Sequence, residues 1–264
     1  MIKDENTNYL INAFEKISIF QGDKILVSSS ILNILLAKKN EGKIFDANLI
    51  IDLLIQRVGK SGTLMFPTYN WDFCKGNEFN YKKTLSVAGS LGNLALKRKD
   101  FLRTKNPIYS FAVTGKDKEL VCNLNHESCF GLDSPFGYLI KNNGKNLFID
   151  IDYKKGFTFC HVVEESVGVN YRYLKNFSGT YVNQSNQKSK VNYKMYVRDL
   201  TTNVIETIIN EKFDDMLIKN KAYKKTVING ISLILIDIKK AYTLLVDDLK
   251  SRGNLLYTRK KNKC

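Results

Sequence analysis

No stretch of this 264-residue chain is apolar over the roughly 20 residues that a membrane-spanning helix needs. The longest apolar run, residues 231–238, is interrupted by Ser232 and Asp237, which is typical of a buried strand. The N-terminus is polar and acidic, so it lacks the basic start and apolar centre of a secretion signal. We therefore expect a cytoplasmic protein that does not bind a membrane.

Paired cysteines and clustered histidines are also missing. The five cysteines are odd in number, and the whole chain contains two histidines. Cys122 and Cys129 are seven residues apart and have no histidine pair beside them. This pattern matches neither a disulfide framework nor a zinc site. We predict free thiols and no metal ion.

Acidic residues are too few to balance the basic ones, and the chain carries a net charge of +15. Such a charge suggests nucleic-acid binding, which is one alternative. However, the lysines are spread over the chain, and the dense run at residues 259–263 is typical of a solvated tail. A basic surface also suits small anionic ligands, whereas it is less suited to a polycation. We therefore expect a small-molecule partner rather than a nucleic acid.

The apolar residues, which make up 44% of the chain, recur with alternating strand and helix periods. Strands are predicted at residues 24–28, 62–67, 111–115, 146–150 and 231–237. Helices are predicted at residues 5–18, 31–36, 46–58, 89–98, 204–221 and 242–249, and two more begin at Ser134 and Thr158. This alternation indicates an α/β layered fold, and the length suits one large domain or two small ones.

Three segments have a composition or pattern that is typical of neither a helix nor a strand. Residues 68–86 have no clear periodicity, and a loop of this length is usually functional. Residues 176–195 are rich in Asn, Ser, Gln and Lys, which predicts an exposed hairpin or insertion. Residues 255–264 form a basic tail.

The most informative segment is residues 156–169, because it holds one of the two histidines. His161 and Glu164 are three positions apart, so on a helix their side chains lie on one face and can hydrogen-bond. An imidazole oriented by a carboxylate is a common base near neutral pH. Thr158 is a candidate N-cap, which would make His161 the third helical residue.

Three alternatives remain open for this segment. The same pattern occurs in an ordinary capped surface helix, where the pair is structural. Cys160 could act as a nucleophilic thiol, although adjacent helical positions point about 100° apart. The positive helix end disfavours an imidazolium whereas Glu164 favours it, so the sequence does not decide the charge of the His161 ring.

Six short motifs, in the same order, resemble those of the aminoglycoside 3-N-acetyltransferase family, also called antibiotic N-acetyltransferases. They are Leu26-Val27-Ser28-Ser29-Ser30, residues 62–69, Phe79-Asn80 with Thr84, Ser86 and Gly89, residues 102–111, Ser134-Pro135, and Thr158-x-x-His161-x-x-Glu164, which Tyr171-Arg172 follows. The motifs lie within about residues 20–175, and the remaining third of the chain matches only loosely.

This resemblance implies an acetyl-coenzyme A-dependent N-acetyltransferase built as a single α/β domain over residues 1–264, with a central mixed β-sheet flanked by helices. It implies that His161 is the general base, that Glu164 orients it, and that Thr158 supports the helix start or the leaving thiolate. The residues implied to bind the cofactor are Ser29, Ser30, Thr68, Arg103, Thr104 and Ser110. The residues implied to contact the acceptor are Tyr69, Asn80 and Glu165. Whether the protein is a monomer or a homodimer stays open.

Backbone N–H groups near Ser29 and Ser30 are candidates for stabilising an oxyanion or binding a phosphate. In the other interpretation, these two serines only cap the following helix.

Three positions depart from the family pattern. Ser28 and Asn106 stand where the family has histidines, and Asn80 stands where it has an aspartate. Together with the net charge, Asn80 favours a neutral or anionic acceptor, and we predict a nucleotide-linked amino sugar for surface-polysaccharide synthesis. The alternative is an aminoglycoside, which needs a local acidic cleft and would make the protein a resistance enzyme. A family member that binds coenzyme A without turnover is a further alternative, against which His161 and Glu164 argue.

Overall fold

Seven strands form the central sheet of the computed structural model, which describes residues 5–202, 204–206, 209 and 211–259. In spatial order they are β10 (Tyr223–Ile228), β11 (Ile231–Asp237), β6 (Lys145–Ile149), β1 (Lys24–Ser29), β2 (Thr63–Pro67), β5 (Phe111–Gly115) and β4 (Leu102–Arg103). The central strands β6, β1 and β2 run parallel, and the outer neighbours pair antiparallel. The predicted mixed sheet is confirmed.

Helices cover both faces of this sheet. They are α1 (Glu5–Lys16), α2 (Leu32–Asn40), α3 (Asn48–Val58), α4 (Ser90–Leu96), α5 (Lys118–Cys122), α6 (Pro135–Lys141), α7 (Tyr153–Gly156), α8 (Cys160–Val167), α9 (Glu211–Lys219) and α10 (Ile238–Lys250). Successive strand residues point to opposite faces, so Ile25 and Val27 join the core under α1, α3 and α4. Leu26 joins the core under α6, α8 and α10. The molecule is a single α/β domain.

A second sheet contains β3 (Phe79–Asn80), β7 (Arg172–Val182) and β8 (Lys188–Arg198), of which the last two form a long hairpin. The predicted hairpin at residues 176–195 is therefore present. It is more than an exposed insertion, because Tyr181 and Tyr196 are buried. At Gly179 a Cβ atom would lie 2.5 Å from the Phe73 ring, so glycine lets the hairpin lie directly on the domain.

Several predicted elements differ from the structure. The helix predicted at residues 31–36 is present as α2, but Leu32 and Leu36 are exposed while Ile34 is buried. The helix predicted at 204–221 is limited to α9, and residues 204–206 instead form β9 (Val204–Glu206), which pairs with β12 (Thr258–Arg259). Edge strand β10 was not predicted, because its lysines interrupt the apolar pattern.

The C-terminal segment is also only partly a tail. Leu255, Leu256 and Tyr257 are buried, whereas residues 260–264 lie outside the described residues. Cys74, Cys122, Cys129 and Cys160 are free thiols, as predicted, and Cys264 lies outside the described residues. Among the residues that the structure describes, none of the helices has the length and apolar character to cross a membrane.

Candidate active site

The first turn of α8 carries the predicted base. His161 is its second residue, and the N-cap is Phe159, which makes no capping bond through its side chain. The prediction that Thr158 caps this helix is wrong. Its carbonyl accepts the His161 N–H at 3.1 Å, and its side chain lies beside that of Tyr69. Thr158 thus connects the start of α8 to the loop that follows β2.

The predicted contact between His161 and Glu164 is confirmed. Nδ1 of His161 lies 2.7 Å from Oε2 of Glu164. An ionised carboxylate only accepts hydrogen bonds, so Nδ1 carries the hydrogen and Nε2 keeps its lone pair. The His161 side chain is 22% exposed, whereas Glu164 has no exposed surface. The ring can therefore accept a proton at Nε2 while the buried carboxylate holds its other edge.

Glu164 has two further partners at the start of β7. The Tyr171 hydroxyl donates to Oε1 at 3.1 Å, and Nε of Arg172 lies 2.7 Å from Oε2. Burial alone would raise the pKa of Glu164, but the hydrogen bond from His161 and the charge of Arg172 hold it below its ordinary value. The carboxylate is therefore ionised at neutral pH.

Cys160 is poorly suited to be a nucleophile. Its Sγ lies 3.6 Å from Nδ1 of His161, but this nitrogen is the one that Glu164 holds. Burial, with the negative charge of Glu164, raises the pKa of the Cys160 thiol well above its ordinary value. The reactive species would be the thiolate, which this environment disfavours.

Aromatic rings connect His161 to the surface. The Phe130 ring lies 5.2 Å from the imidazole, and the Tyr109 ring lies 4.7 Å from Phe130. Trp71 contacts Tyr109 at 6.2 Å and is 41% exposed. These rings form a rigid apolar wall on one side of the imidazole and restrict its orientation.

A cavity of about 410 Å³, here called the basic pocket, includes the His161 side chain in its lining. The other residues that line it are Lys154, Lys155, Phe157, Thr158, Cys160, Arg172, Arg198 and Ile209. Asp214 pairs with Lys154 at 2.9 Å, and Arg172 pairs with Glu164. Even so, cations outnumber anions around this cavity, so it favours an anionic group such as a phosphate.

A second cavity of about 440 Å³, here called the acidic groove, reaches α8 at Glu165. It is lined by Asn125, His126, Glu127, Ser128, Gly131, Asp133, Glu165, Leu174 and Lys194. Ser128 donates to Glu165 at 2.7 Å, and Lys194 pairs with Glu127 at 2.7 Å. Burial, followed by the charge of Asp133, raises the pKa of Glu165. The groove thus has an excess of negative charge one helical turn from His161.

Four of the predicted cofactor residues lie in the interior instead. Arg103 is 2% exposed, and its guanidinium donates to Ser110 Oγ at 3.0 Å, to Thr84 O at 2.6 Å and to Thr68 O at 3.1 Å. Its ring partner is Phe79, at 4.6 Å.

Thr68, Thr104 and Ser110 are also buried, and Thr104 accepts the Phe111 N–H at 2.9 Å. The polar atoms of these side chains and of Arg103 bond within the protein, and their contact with a cofactor stays a prediction. They hold the loops that follow β2 and β4.

Ser29 and Ser30 lie half-buried at the end of β1. The Ser30 N–H donates to Ile149 O at 2.9 Å, so it is not free for an oxyanion. Neither serine caps α2, because the N-cap is Ile31 and makes no side-chain bond. The capping interpretation is therefore wrong, whereas binding of an oxyanion or a phosphate near this turn stays a prediction, and the two hydroxyls are partly accessible.

Tyr69, Asn80 and Glu165, which we predicted to contact the acceptor, lie in different surroundings. Tyr69 is 5% exposed and contacts Thr158, whereas Glu165 lines the acidic groove. Asn80 lies in β3, where its Oδ1 closes a turn by accepting the Lys82 and Lys83 N–H groups at 3.0 Å. The carboxamide of Asn80 therefore has a structural role.

The two positions where the family has histidines are structural as well. Asn106 is fully buried, and its Oδ1 accepts the N–H groups of Ile108 and Tyr109 at 2.9 Å. Ser28 Oγ accepts from Asn146 at 3.2 Å. Neither replacement touches His161.

Donor atoms of Cys160, His161 and Glu164 lie within 4.8 Å of one another, an arrangement that a metal ion could use in principle. However, Oε2 of Glu164 already contacts both His161 and Arg172 at 2.7 Å, so its charge is compensated. A cation at this point would face a guanidinium. We identify no metal ligands in this group.

The sequence interpretation did not assign a role to Phe130, Ser128 or Arg198, and it mentioned Tyr171 and Arg172 only as residues that follow the motif. The adjacent lysines 154 and 155, just before the motif of Thr158, His161 and Glu164, were a signal for the basic pocket. No sequence pattern pointed to Phe130 or Ser128, because their loop meets α8 only in the folded chain.

The family model described as aminoglycoside 3-N-acetyltransferase matches residues 27–250. No curated protein matches this chain.

Solved structures share its fold. AAC-VIa bound to sisomicin has a TM-score of 0.77 and 16% identity, with 94% of this chain and 98% of that chain covered. AAC-IIIb in a binary complex with CoASH has a TM-score of 0.76 and 15% identity, with 94% and 97% covered. The YokD protein from Bacillus subtilis has a TM-score of 0.72 and 18% identity, with 91% and 92% covered.

Proposed function

Because this chain belongs to the aminoglycoside 3-N-acetyltransferase family, we propose that it transfers the acetyl group of acetyl-coenzyme A to an amino group of an amino sugar. His161 is the general base of this reaction, and Glu164 orients it. The observation that carries the proposal is the 2.7 Å contact that fixes Nδ1 of a partly exposed imidazole and leaves Nε2 to accept a proton.

The reaction follows from this arrangement. The amine nitrogen attacks the thioester carbonyl carbon, and a carbon–nitrogen bond forms while the nitrogen gives its proton to Nε2. Glu164 stabilises the resulting imidazolium through the Nδ1 hydrogen bond. The carbon–sulfur bond then breaks, and the departing thiolate receives the proton back from His161. The amide, free coenzyme A and the starting base are the products.

The basic pocket supports acetyl-coenzyme A as the donor. His161 lines this pocket together with Lys154, Lys155 and Arg198, whose positive charges attract the phosphates of the cofactor. AAC-IIIb, which shares the fold, binds CoASH. The pocket also accounts for part of the positive net charge without requiring an anionic acceptor.

The acidic groove supports a polycationic acceptor of the aminoglycoside type. Asp133 and Glu165 lie there without a lysine or arginine salt bridge among the described residues, and the groove reaches α8 one turn from His161. Net charge affects the encounter of a ligand more than its site, so the local carboxylates take precedence over the overall charge of +15. AAC-VIa, of the same fold, binds sisomicin. Acetylating an amine removes its positive charge, so turnover of such an antibiotic would confer resistance.

A nucleotide-linked amino sugar is the second candidate acceptor. The observation that favours it is that the cations of the basic pocket line the same cavity as His161, where they could hold a diphosphate. This acceptor would have to compete with coenzyme A for the same charges. For that reason we place it second.

Thiol release from acetyl-coenzyme A tests the proposal against a divided panel of kanamycin and gentamicin on one side and nucleotide-linked amino sugars on the other. A reaction without acceptor corrects for hydrolysis. Turnover with the aminoglycosides is the expected result. Turnover confined to the nucleotide sugars would establish the second candidate and show that the acidic groove is not the acceptor site. No amine-dependent release with either half would contradict the proposed function.

A further inference from the structure

Glu164, the partner of His161, is held on three sides. His161 and Arg172 contact its Oε2 at 2.7 Å each, and the Tyr171 hydroxyl donates to its Oε1 at 3.1 Å. The Glu164 side chain has no exposed surface, and the Arg172 side chain is 8% exposed. The carboxylate that contacts the proposed base therefore also contacts a guanidinium and a phenol.

The chain brings these groups together through one turn. Gly168 adopts a left-handed conformation, with a φ of +71°, and ends α8. The chain then turns back toward the helix, so that Tyr171 and Arg172 contact Glu164. The Tyr171 ring packs on Tyr257 at 4.9 Å.

Arg172 is anchored as well, because its Nη1 donates to Tyr196 O at 3.2 Å. Both partners of the carboxylate are thus fixed by neighbouring elements. They do not depend on the ligand for their orientation.

Other titratable groups surround the pair. Cys160 and Glu165 belong to α8 itself, Lys154 and Lys155 come from α7, and Tyr196 and Arg198 come from β8. Helix α10 packs against α8 and contributes the Tyr242 ring, which lies against Phe159. Among these cations, Arg172 contacts the oxygen that His161 uses.

We propose that Arg172 and Tyr171 are positioning residues, which fix the Glu164 carboxylate and partly compensate its negative charge. As a result, His161 remains an uncharged base to lower pH than it would in a histidine–glutamate pair alone. The role of His161 as a base rests on the proposed function. The effect on its protonation does not, because it follows from the contacts alone.

The physical reason is the balance of charge. A lone buried carboxylate beside an imidazole stabilises the imidazolium and keeps the proton on the ring. A guanidinium on the same oxygen opposes that effect, because like charges repel in the poorly hydrated surroundings of Glu164. The Tyr171 hydrogen bond acts in the same direction, though more weakly, by taking up a lone pair of the other oxygen. An imidazole that stays neutral is ready to accept the amine proton.

Nuclear magnetic resonance gives a direct test, since the chain has two histidines. The ring signals of His161 are assigned by their loss in His161→Gln, and their titration is followed in full-length protein without ligand. In Arg172→Gln the midpoint should move to higher pH by about 1 unit. Tyr171→Phe, which keeps the ring that packs on Tyr257, should move it in the same direction by less. Arg172→Lys keeps the charge and should stay close to the parent.

Kinetics provide the second arm. The acidic limb of the pH dependence of kcat should move upward in Arg172→Gln and be restored in Arg172→Lys. A rise in the KM for acetyl-coenzyme A with unmoved midpoints would mean that Arg172 only binds an anion, and would overturn the proposal. An unmoved midpoint in Tyr171→Phe would also overturn the proposal. This variant is expected to fold even if Arg172→Gln does not. Moved titrations without acetyl transfer would support the proposal and contradict the proposed function, so the two failures are distinguishable.

Discussion

Oε2 of the fully buried Glu164 lies 2.7 Å from Nδ1 of His161, whose side chain is 22% exposed. The pair therefore places a fixed charge inside the protein and a proton acceptor at the wall of a cavity. Its surroundings differ on the two sides, with the basic pocket at the imidazole and the acidic groove one helical turn further along α8.

Substitution of Glu165 tests the assignment of the acidic groove. In Glu165→Gln we expect the KM for kanamycin or gentamicin to rise about 10-fold, because a partly buried charge pair with a ligand amine is lost. Glu127→Gln is the matched control, since Glu127 lines the same groove but is already paired with Lys194 at 2.7 Å. Equal effects of the two substitutions on KM would contradict a specific role for Glu165.

The same residue predicts a pH dependence. Burial raises the pKa of Glu165, so this carboxylate loses its charge at a higher pH than an ordinary glutamate does. The KM for a polycationic acceptor should therefore begin to rise earlier on acidification in the parent than in Glu165→Gln. Steady-state measurements of KM between pH 5 and pH 8 compare the two profiles.

Substitution of Arg103 separates a structural role from the cofactor role that the sequence suggested. Arg103→Met removes a buried guanidinium that donates hydrogen bonds to the Thr68 and Thr84 carbonyls and to the Ser110 hydroxyl. We expect the free energy of unfolding to fall by about 3 kcal/mol, because buried acceptors lose charge-assisted hydrogen bonds. Denaturant unfolding measures this change. A variant of parental stability that no longer binds coenzyme A would instead restore the cofactor role.

The other histidine predicts a pH-dependent stability. Burial lowers the pKa of His126 below its ordinary value of 6.5. The unfolded chain therefore binds a proton more readily than the folded chain does, so acidification favours unfolding. The contribution is fully present above pH 6.5 and is lost as the pH falls through the lower folded value. His126→Asn keeps an amide donor near Ser128 O, and its unfolding free energy should fall less between pH 7.5 and pH 5. Parallel slopes for the two proteins would contradict this expectation.

Local patterns predicted much of the fold. The strands at residues 24–28, 62–67, 111–115 and 146–150 are within a residue or two of β1, β2, β5 and β6, because continuous apolar runs bounded by polar residues mark buried strands. The contact between His161 and Glu164 was predictable for the same reason, since helical spacing alone fixes it.

Contacts between distant segments were not predictable. Whether Arg103 meets a phosphate or a carbonyl depends on the loops at residues 68 and 84, which no local spacing encodes. The acidic groove likewise forms only when the loop of Ser128 and Asp133 meets Glu165 of α8 and the β7–β8 hairpin. For this reason the net charge of the chain does not predict the local charge of this groove.

The most direct test of the account is the turnover number of His161→Ala with acetyl-coenzyme A and the acceptor identified from the panel. We expect kcat to fall at least 100-fold, because the amine proton loses its acceptor. The affinity for coenzyme A, measured by calorimetry, should stay close to that of the parent, and added imidazole should restore part of the rate. A variant with near-parental kcat would contradict the central claim that His161 is the base.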